Sequence, residues 1–314
     1  MIKIENRATL VLYNFLLSNN FRKPFLIPSN VCPIVPTVFL KANVDFEFVD
    51  IDDTMALNQT ETLFKIKSEK YSGIIFVHAY GKLFDVKSFF DDIKSITNDI
   101  CIIDDRCLCV PDTKLLHSDN ADLILYSTGY SKYVELGYGG WGVINDSFKY
   151  QSNILDYNEI DYQCLLESHR NSLENNTQFQ LKKTRWLNSR KFEISAKDYF
   201  EKVNHTLEKI KHQKTLLNNI YKTEIPSELQ MPDEYNMWRF NILTNEREVI
   251  LKKIFLKKLF AGKNYPSVAY MFKGKATIVA EKYEKKIMNL FNDFRFDETK
   301  AYEICNIINK NIKR

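Results

Sequence analysis

The strongest constraint on the fold of this chain is a rhythm in its first half, where short apolar runs alternate with amphipathic stretches. "ATLVLYNFLLSNN" reads as a helix, "PFLIPSN" as a strand, and "PIVPTVFLKAN" as a helix with prolines in its first turn. "DFEFVDI", "SGIIFVHAYG", "DVKSFFDDIKSI", "DICIIDDR" and "DLILYSTGY" continue the alternation. Short strands separated by helical patterns predict βαβ units and a mainly parallel sheet flanked by helices, an α/β fold. Ligands of such open sheets bind outside the carboxyl ends of the strands. Those ends carry Asp50, His78, Asp104, Asp105 and Ser127, so the layout gathers these side chains near one crevice.

From Asn153 to Tyr221 the pattern turns helical, with "NSRKFEISAKDYFEKVNHTLEKIKHQKTLLNNIY" its longest periodic segment. "TEIPSELQMPDEYN" is polar and proline-bearing, a linker. After it "MWRFNILT" reads as a strand, "EREVILKKIFLKKLFAG" as a helix ending at glycine, and "DETKAYEICNIINKNI" as a terminal helix. The expected organisation is a large domain over residues 1–230 and a small α+β domain over residues 231–314.

Composition removes several function classes. The net charge of +4 is spread over nearly equal numbers of basic and acidic residues, and "ILKKIFLKKLF" reads as a solvated face. Neither feature builds a nucleic-acid groove, so no nucleic-acid partner is expected. No apolar run approaches the ~20 residues of a bilayer span, and the N-terminus lacks the order of a secretory leader. No membrane partner is expected, and a cytoplasmic location is. The six cysteines are too sparse in 314 residues for a disulfide framework. "CIIDDRCLC" lacks paired C-x-x-C units or adjacent histidines, so buried thiols are expected there and no metal.

The segment "YSTGYSKYVELGYGGWGVIND" places three of the chain's nine glycines within the four residues 137–140, just beyond Lys132. It reads as a surface loop, as a phosphate cradle, or as a site where the amine is itself the reagent. A lysine whose pKa is lowered can form a Schiff base with a carbonyl. A cofactor such as pyridoxal phosphate also needs anion donors at a helix N-terminus and a carboxylate facing its ring nitrogen. Candidates exist for each role: Lys132 for the amine, Asp105 ending "CIIDD", Ser127 ending "DLILYS", and the backbone around Arg7 and Ala8 in "ENRATL". Taken singly, a strand-end Asp or Ser more often caps a turn or helix, and a loop lysine is more often solvated.

Order and spacing together resemble the DegT/StrS family of sugar aminotransferases, of the aspartate-aminotransferase-like fold type I. That family's S-F-x-x-x-K-x-x-x-x-G-E-G-G is similar, with the same spacing, to the stretch from Ser127 through Lys132 to Gly137, Gly139 and Gly140. Its I-E-D-A-A strand end resembles "IDDRC", and its S-G-R-x-A-L opening resembles "ENRATL". "PSNVCPIVPTVFLKANVDFEFVDID", "VHAYG", "NSRKFEI", "AGKNYPS" and "IMNLFND" resemble further family segments in collinear order, from about residue 5 to the C-terminus. The resemblance implies pyridoxal 5'-phosphate held covalently by Lys132, with Asp105 on its ring nitrogen and Ser127, Arg7 and Ala8 at its phosphate. Cys32 stands where many relatives stack an aromatic ring on the cofactor. Asn188 stands where the family sends an asparagine to the neighbouring subunit's cofactor, which implies a homodimer. The implied activity is transfer of an amino group from a small amino donor, glutamate being usual, to a nucleotide-linked keto-sugar in surface-polysaccharide or related amino-sugar assembly. Close-packed glycines would clear space for the cofactor or the second subunit.

The chain also departs from the family pattern. Leu108 stands where Gln or His usually sits near the cofactor's phenolic oxygen, and Arg106 adds a cation beside Asp105. Tyr138 replaces the Glu before the double glycine, and Asn264 replaces the His of H-Y-P. Relatives carry about 50 residues before the phosphate-binding turn, room for a helix or two, where this chain has five. Two other classes stay open: a catalytically degenerate binding or scaffold protein, and a dehydratase acting at a sugar carbon. Relatives that dehydrate usually carry histidine in place of the lysine, and Lys132 argues against that class.

Overall fold

A computed structural model of the chain describes residues 1–114 and 120–312. The elements run β1 (Ile2–Glu5), α1 (Ala8–Ser18), β2 (Phe25–Pro28), α2 (Ile34–Ala42), β3 (Phe46–Val49), α3 (Gln59–Ile66), β4 (Gly73–Val77), α4 (Lys87–Ile96), β5 (Cys101–Asp105), β6 (Leu123–Ser127), β7 (Gly140–Ile144) and α5 (Glu159–Glu174). They continue with α6 (Ala196–Glu224), β8 (Phe240–Leu243), α7 (Arg247–Leu256), α8 (Ile278–Glu284), β9 (Ile287–Leu290) and α9 (Glu298–Asn309).

β2, β4, β5 and β6 are almost uninterrupted apolar runs because helices cover both faces of the sheet they form. The large sheet has seven strands in the order β1-β7-β6-β5-β4-β2-β3. β2 through β6 pair in parallel, while β7 runs antiparallel to both β6 and β1. β1 and β7 are absent from the sequence reading. β1 is only four residues long, and β7 is hidden behind the glycine run that opens it.

Alternation along the strands divides the core. Ile103 and Leu125 pack on one face with Leu12, Phe15 and Phe39 of α1 and α2. Ile102 and Ile124 pack on the other face with Phe90 of α4 and with Tyr199 and Val203 of α6. The 29-residue α6 also reaches past the sheet, where Leu217, Ile220 and Tyr221 join β8, β9 and α9 in a separate core. β8 and β9 form an antiparallel pair.

Two expectations need correction. Residues 175–195 are not helical; they are pinned through side-chain and backbone bonds such as Leu155 N–H to Ser189 Oγ at 2.6 Å and Asn158 N–H to the Arg185 carbonyl at 2.8 Å. α7 stops at Leu256, well before Gly262, because the chain turns left-handed at Lys258 (φ 59°). No described helix is long and apolar enough to cross a membrane.

Candidate active site

A cavity of about 200 Å³ opens at the carboxyl ends of β4, β5 and β6, lined there by Val77, Asp105 and Ser127. The start of α1 contributes Arg7 and Ala8, the turn before α2 contributes Cys32, and the loop after β6 contributes Lys132. Asn188 approaches from the non-helical segment before α6. The seven residues singled out from the sequence, Lys132, Asp105, Ser127, Arg7, Ala8, Asn188 and Cys32, therefore meet at one place.

Strand alternation selects which acid reaches the cavity. Asp105 follows the Ile103 side of β5 and lines the cavity; it is 8% exposed, and its Oδ1 accepts the Cys107 N–H at 2.9 Å. Lys132 is the only lysine among the described lining residues, is half-buried, and makes no hydrogen bond or ion pair with the described residues. Burial pushes the Cys32 and Cys107 thiols up, and the Asp105 charge adds to this at both. Both sulfurs therefore stay protonated at neutral pH and are poor nucleophiles.

An anion cradle lies beside them. A Cβ built on Gly129 would sit 3.2 Å from Arg7 Nη1 and 3.4 Å from Ser127 Oγ, so guanidinium and hydroxyl converge on one small space. The Arg7 guanidinium is steadied over the Tyr130 ring at 4.9 Å. α1 begins here with no acidic residue in its first turn and no side-chain cap, so the positive end of its dipole faces the cavity unneutralised. A side chain at Gly140 would collide with the Ala8 backbone, and its absence lets this helix start pack against β7. An unpartnered amine, a carboxylate with spare acceptor capacity and a cationic cradle in one small cavity fit pyridoxal phosphate.

The structure separates other candidates from this set. Asp50 caps α8, accepting from Val279 N–H at 2.8 Å and Ala280 N–H at 3.1 Å. His78 and Asp104 lie on the opposite side of the sheet end, with His78 Nε2 2.7 Å from Asp104 Oδ1. Arg106 turns to Asp104 as well, with Nε and Nη2 at 2.7 and 2.6 Å from Oδ2, and does not line the cavity. Asn188 lines the cavity from the non-helical segment before α6. Leu108 also lines the wall and offers no hydrogen bond there. Sequence reasoning missed Tyr157, Tyr162, Trp186 and Tyr265, which complete the wall. Tyr157 and Trp186 come from segments without a usable period, Tyr162 sits on the first turn of α5 with no motif to mark it, and "AGKNYPS" held a signal for Tyr265.

No protein-family model and no curated protein matches the sequence. Solved structures do resemble the fold. A DegT DnrJ EryC1 StrS aminotransferase from Brucella abortus is 18% identical with a TM-score of 0.67, covering 100% of this chain and 86% of that one. PseC of Helicobacter pylori, an aminotransferase involved in the biosynthesis of pseudoaminic acid, is 15% identical with a TM-score of 0.69 over 99% and 86% of the two chains. DesI, solved in the presence of its TDP-sugar product, is 12% identical with a TM-score of 0.73 over 98% and 79%. The chain has the fold of these aminotransferases, the fold type I architecture of a mainly parallel seven-stranded sheet between helical layers.

Proposed function

We propose that the protein is a pyridoxal 5'-phosphate-dependent aminotransferase, moving an amino group from an amino acid, with glutamate the expected donor, to a nucleotide-linked keto-sugar. The observation that carries this reading is Lys132, unpartnered in the cavity that also contains Asp105 and the Arg7–Ser127 cradle. Similarity to DesI and PseC, whose descriptions name a TDP-sugar product and pseudoaminic acid biosynthesis, supports a sugar acceptor. As part of this reading, the amino sugar would be supplied in the cytoplasm for surface polysaccharide or related assembly. A homodimer is part of this reading, as the family likeness implies through Asn188, and the exposed Ile154 and Ile160 on either side of the cavity residue Tyr157 support it.

The bound cofactor supplies an electron sink for the carbon that loses a proton. The chain supplies the rest. Lys132 Nζ would hold the cofactor and, once displaced by the donor's amine, would accept the proton from the donor's α-carbon and return it on the acceptor side. The Asp105 carboxylate would keep the ring nitrogen protonated. The Arg7 guanidinium, Ser127 Oγ and the α1 N-terminus would hold the phosphate. Tyr157, Tyr162 and Trp186 would exclude water from the reacting atoms.

The direct assay incubates the purified protein with pyridoxal 5'-phosphate, L-glutamate and a set of nucleotide-linked keto-sugars. Release of 2-oxoglutarate with an amino-sugar product supports the reading; no oxo-acid from any donor overturns it.

A further inference from the structure

The backbone just before Lys132 is held from a distance. Ser131 has a left-handed conformation (φ 56°), disfavoured for a residue with a Cβ and a pointer to a site where surrounding structure over-determines the chain. Both backbone polar groups of this residue are engaged. Its N–H donates to Glu135 Oε2 at 2.8 Å, and its carbonyl accepts from Trp238 Nε1 at 2.7 Å. Arg295 Nη2 grips both oxygens of Glu135 at 2.5 and 2.6 Å, and Arg295 Nη1 is fixed by Asp293 Oδ2 at 2.8 Å. Trp238 stacks on Tyr265 with ring centroids 5.8 Å apart and 21° between planes, and Tyr265 lines the cavity. The Trp238 carbonyl accepts from the buried Lys214 Nζ at 2.6 Å.

Trp238, Tyr265, Asp293 and Arg295 come from the chain after residue 231, while Lys132 belongs to the large sheet's loop. Trp238 lies 107 residues from Ser131, and Arg295 lies 160 from Glu135. The Glu135–Arg295 pair is largely shielded, with 12% and 23% of the side chains exposed, so its charge-assisted bonds escape most solvent screening. At the base the loop is closed by Leu136 N–H to the Thr128 carbonyl at 2.8 Å, which fixes its ends but not the peptide that carries the amine.

We propose that Trp238 and the Glu135–Arg295 pair are positioning residues for Lys132. They lock the Ser131 peptide in its left-handed form and so aim the adjoining amine into the cavity. The seating of the C-terminal module thereby sets how accessible that amine is. This rests on the reading of Lys132 as the reagent.

The test uses the full chain without cofactor. Limiting acetic anhydride is applied to wild type, Trp238→Phe, Arg295→Met and Arg295→Lys, and acetylation at Lys132 is measured by peptide mass spectrometry against the exposed Lys209. Trp238→Phe keeps an aromatic ring on Tyr265 while removing the indole N–H along with part of the ring system. Released from its clamp, Lys132 should be labelled about fivefold faster relative to Lys209, the effect of losing one net hydrogen bond. Arg295→Lys should return part of the way to wild type, a rescue that a general loosening of the fold would not produce. Equal Lys132 labelling in wild type, Trp238→Phe and Arg295→Met overturns the proposal. Should Arg295→Met not fold, the Trp238→Phe comparison alone decides. Labelling needs no cofactor, so failure of pyridoxal phosphate to attach to wild-type Lys132 would defeat the functional reading separately, with the labelling contrast still deciding the positioning.

Discussion

Asp104 and Asp105 are neighbours on β5, and their side chains serve opposite ends. Asp104 is fully buried, accepting from His78 on one oxygen and from Arg106 on the other. The Phe84 N–H donates to His78 Nδ1 at 2.9 Å, so the ring proton resides on Nε2 and points at Asp104. Burial alone would raise this carboxyl's pKa, but the contacts with His78 and Arg106 more than reverse it and hold it below the usual range. Asp105 has one backbone N–H on Oδ1 and a carboxylate that lines a cavity with an unpartnered lysine. The side chain whose bonding is complete holds the sheet end together. The one left short of partners is available for chemistry, and only the two-residue period of a strand separates them.

The sharpest way to break this contrast is to neutralise each acid in turn. Asp105→Asn should cut transamination by about 10²-fold or more, the scale of losing one electrostatic contact to the reacting group. Its stability should change by no more than about 1 kcal/mol, since an amide oxygen can still accept the Cys107 N–H. Asp104→Asn should do the reverse, costing about 3 kcal/mol in denaturant unfolding because Arg106 loses its buried counter-charge, with activity per folded molecule kept. If the two variants exchanged these phenotypes, the division of labour would be refuted.

Ser127→Ala sharpens the cavity side. Loss of one hydrogen bond to a charged phosphate should weaken pyridoxal phosphate binding about tenfold, read by fluorescence titration. Acid unfolding sharpens the buried side. The folded pKa of Asp104 is depressed, so its stabilising share is complete above the unfolded value and drains away as pH falls through the folded one. Urea midpoints of wild type should therefore fall more steeply in acid than those of Asp104→Asn.

A further test concerns a second buried and bonded side chain, Lys214. Burial lowers the pKa of Lys214 to about 7, while its Nζ donates to the Trp238 carbonyl and to Asn292 Oδ1 at 2.8 Å. Between that value and the ordinary lysine range of about 10.4 the unfolded chain binds more protons, so stability should climb with pH across this interval. Lys214→Met should flatten the climb in thermal melts; an unchanged slope would show that this lysine stays charged when folded.

Much of this was legible in the sequence, for a physical reason. The parallel strands announced themselves because burial on both faces demands unbroken apolar runs, and "CIIDD" and "DLILYS" carried Asp105 and Ser127 to the edge where the cavity opens. Periodicity does not say on which side of a strand end a polar residue emerges relative to a cavity, so the layout alone grouped His78 and Asp104 with Asp105, and only the cofactor reading singled out Asp105. Tyr157 and Trp186 were invisible because they come from irregular chain held by scattered bonds rather than by a repeating pattern. The Glu135–Arg295 grip was equally hidden, since no local rule links side chains 160 residues apart.

The most direct measurement asks which amine takes the cofactor. Wild type and Lys132→Ala are incubated with pyridoxal 5'-phosphate, reduced with borohydride, digested and mapped by mass spectrometry. The account requires a reduced pyridoxyl phosphate adduct on the peptide containing Lys132 in wild type and none in the variant. An unmodified Lys132, or an adduct on some other lysine that survives in Lys132→Ala, would contradict it.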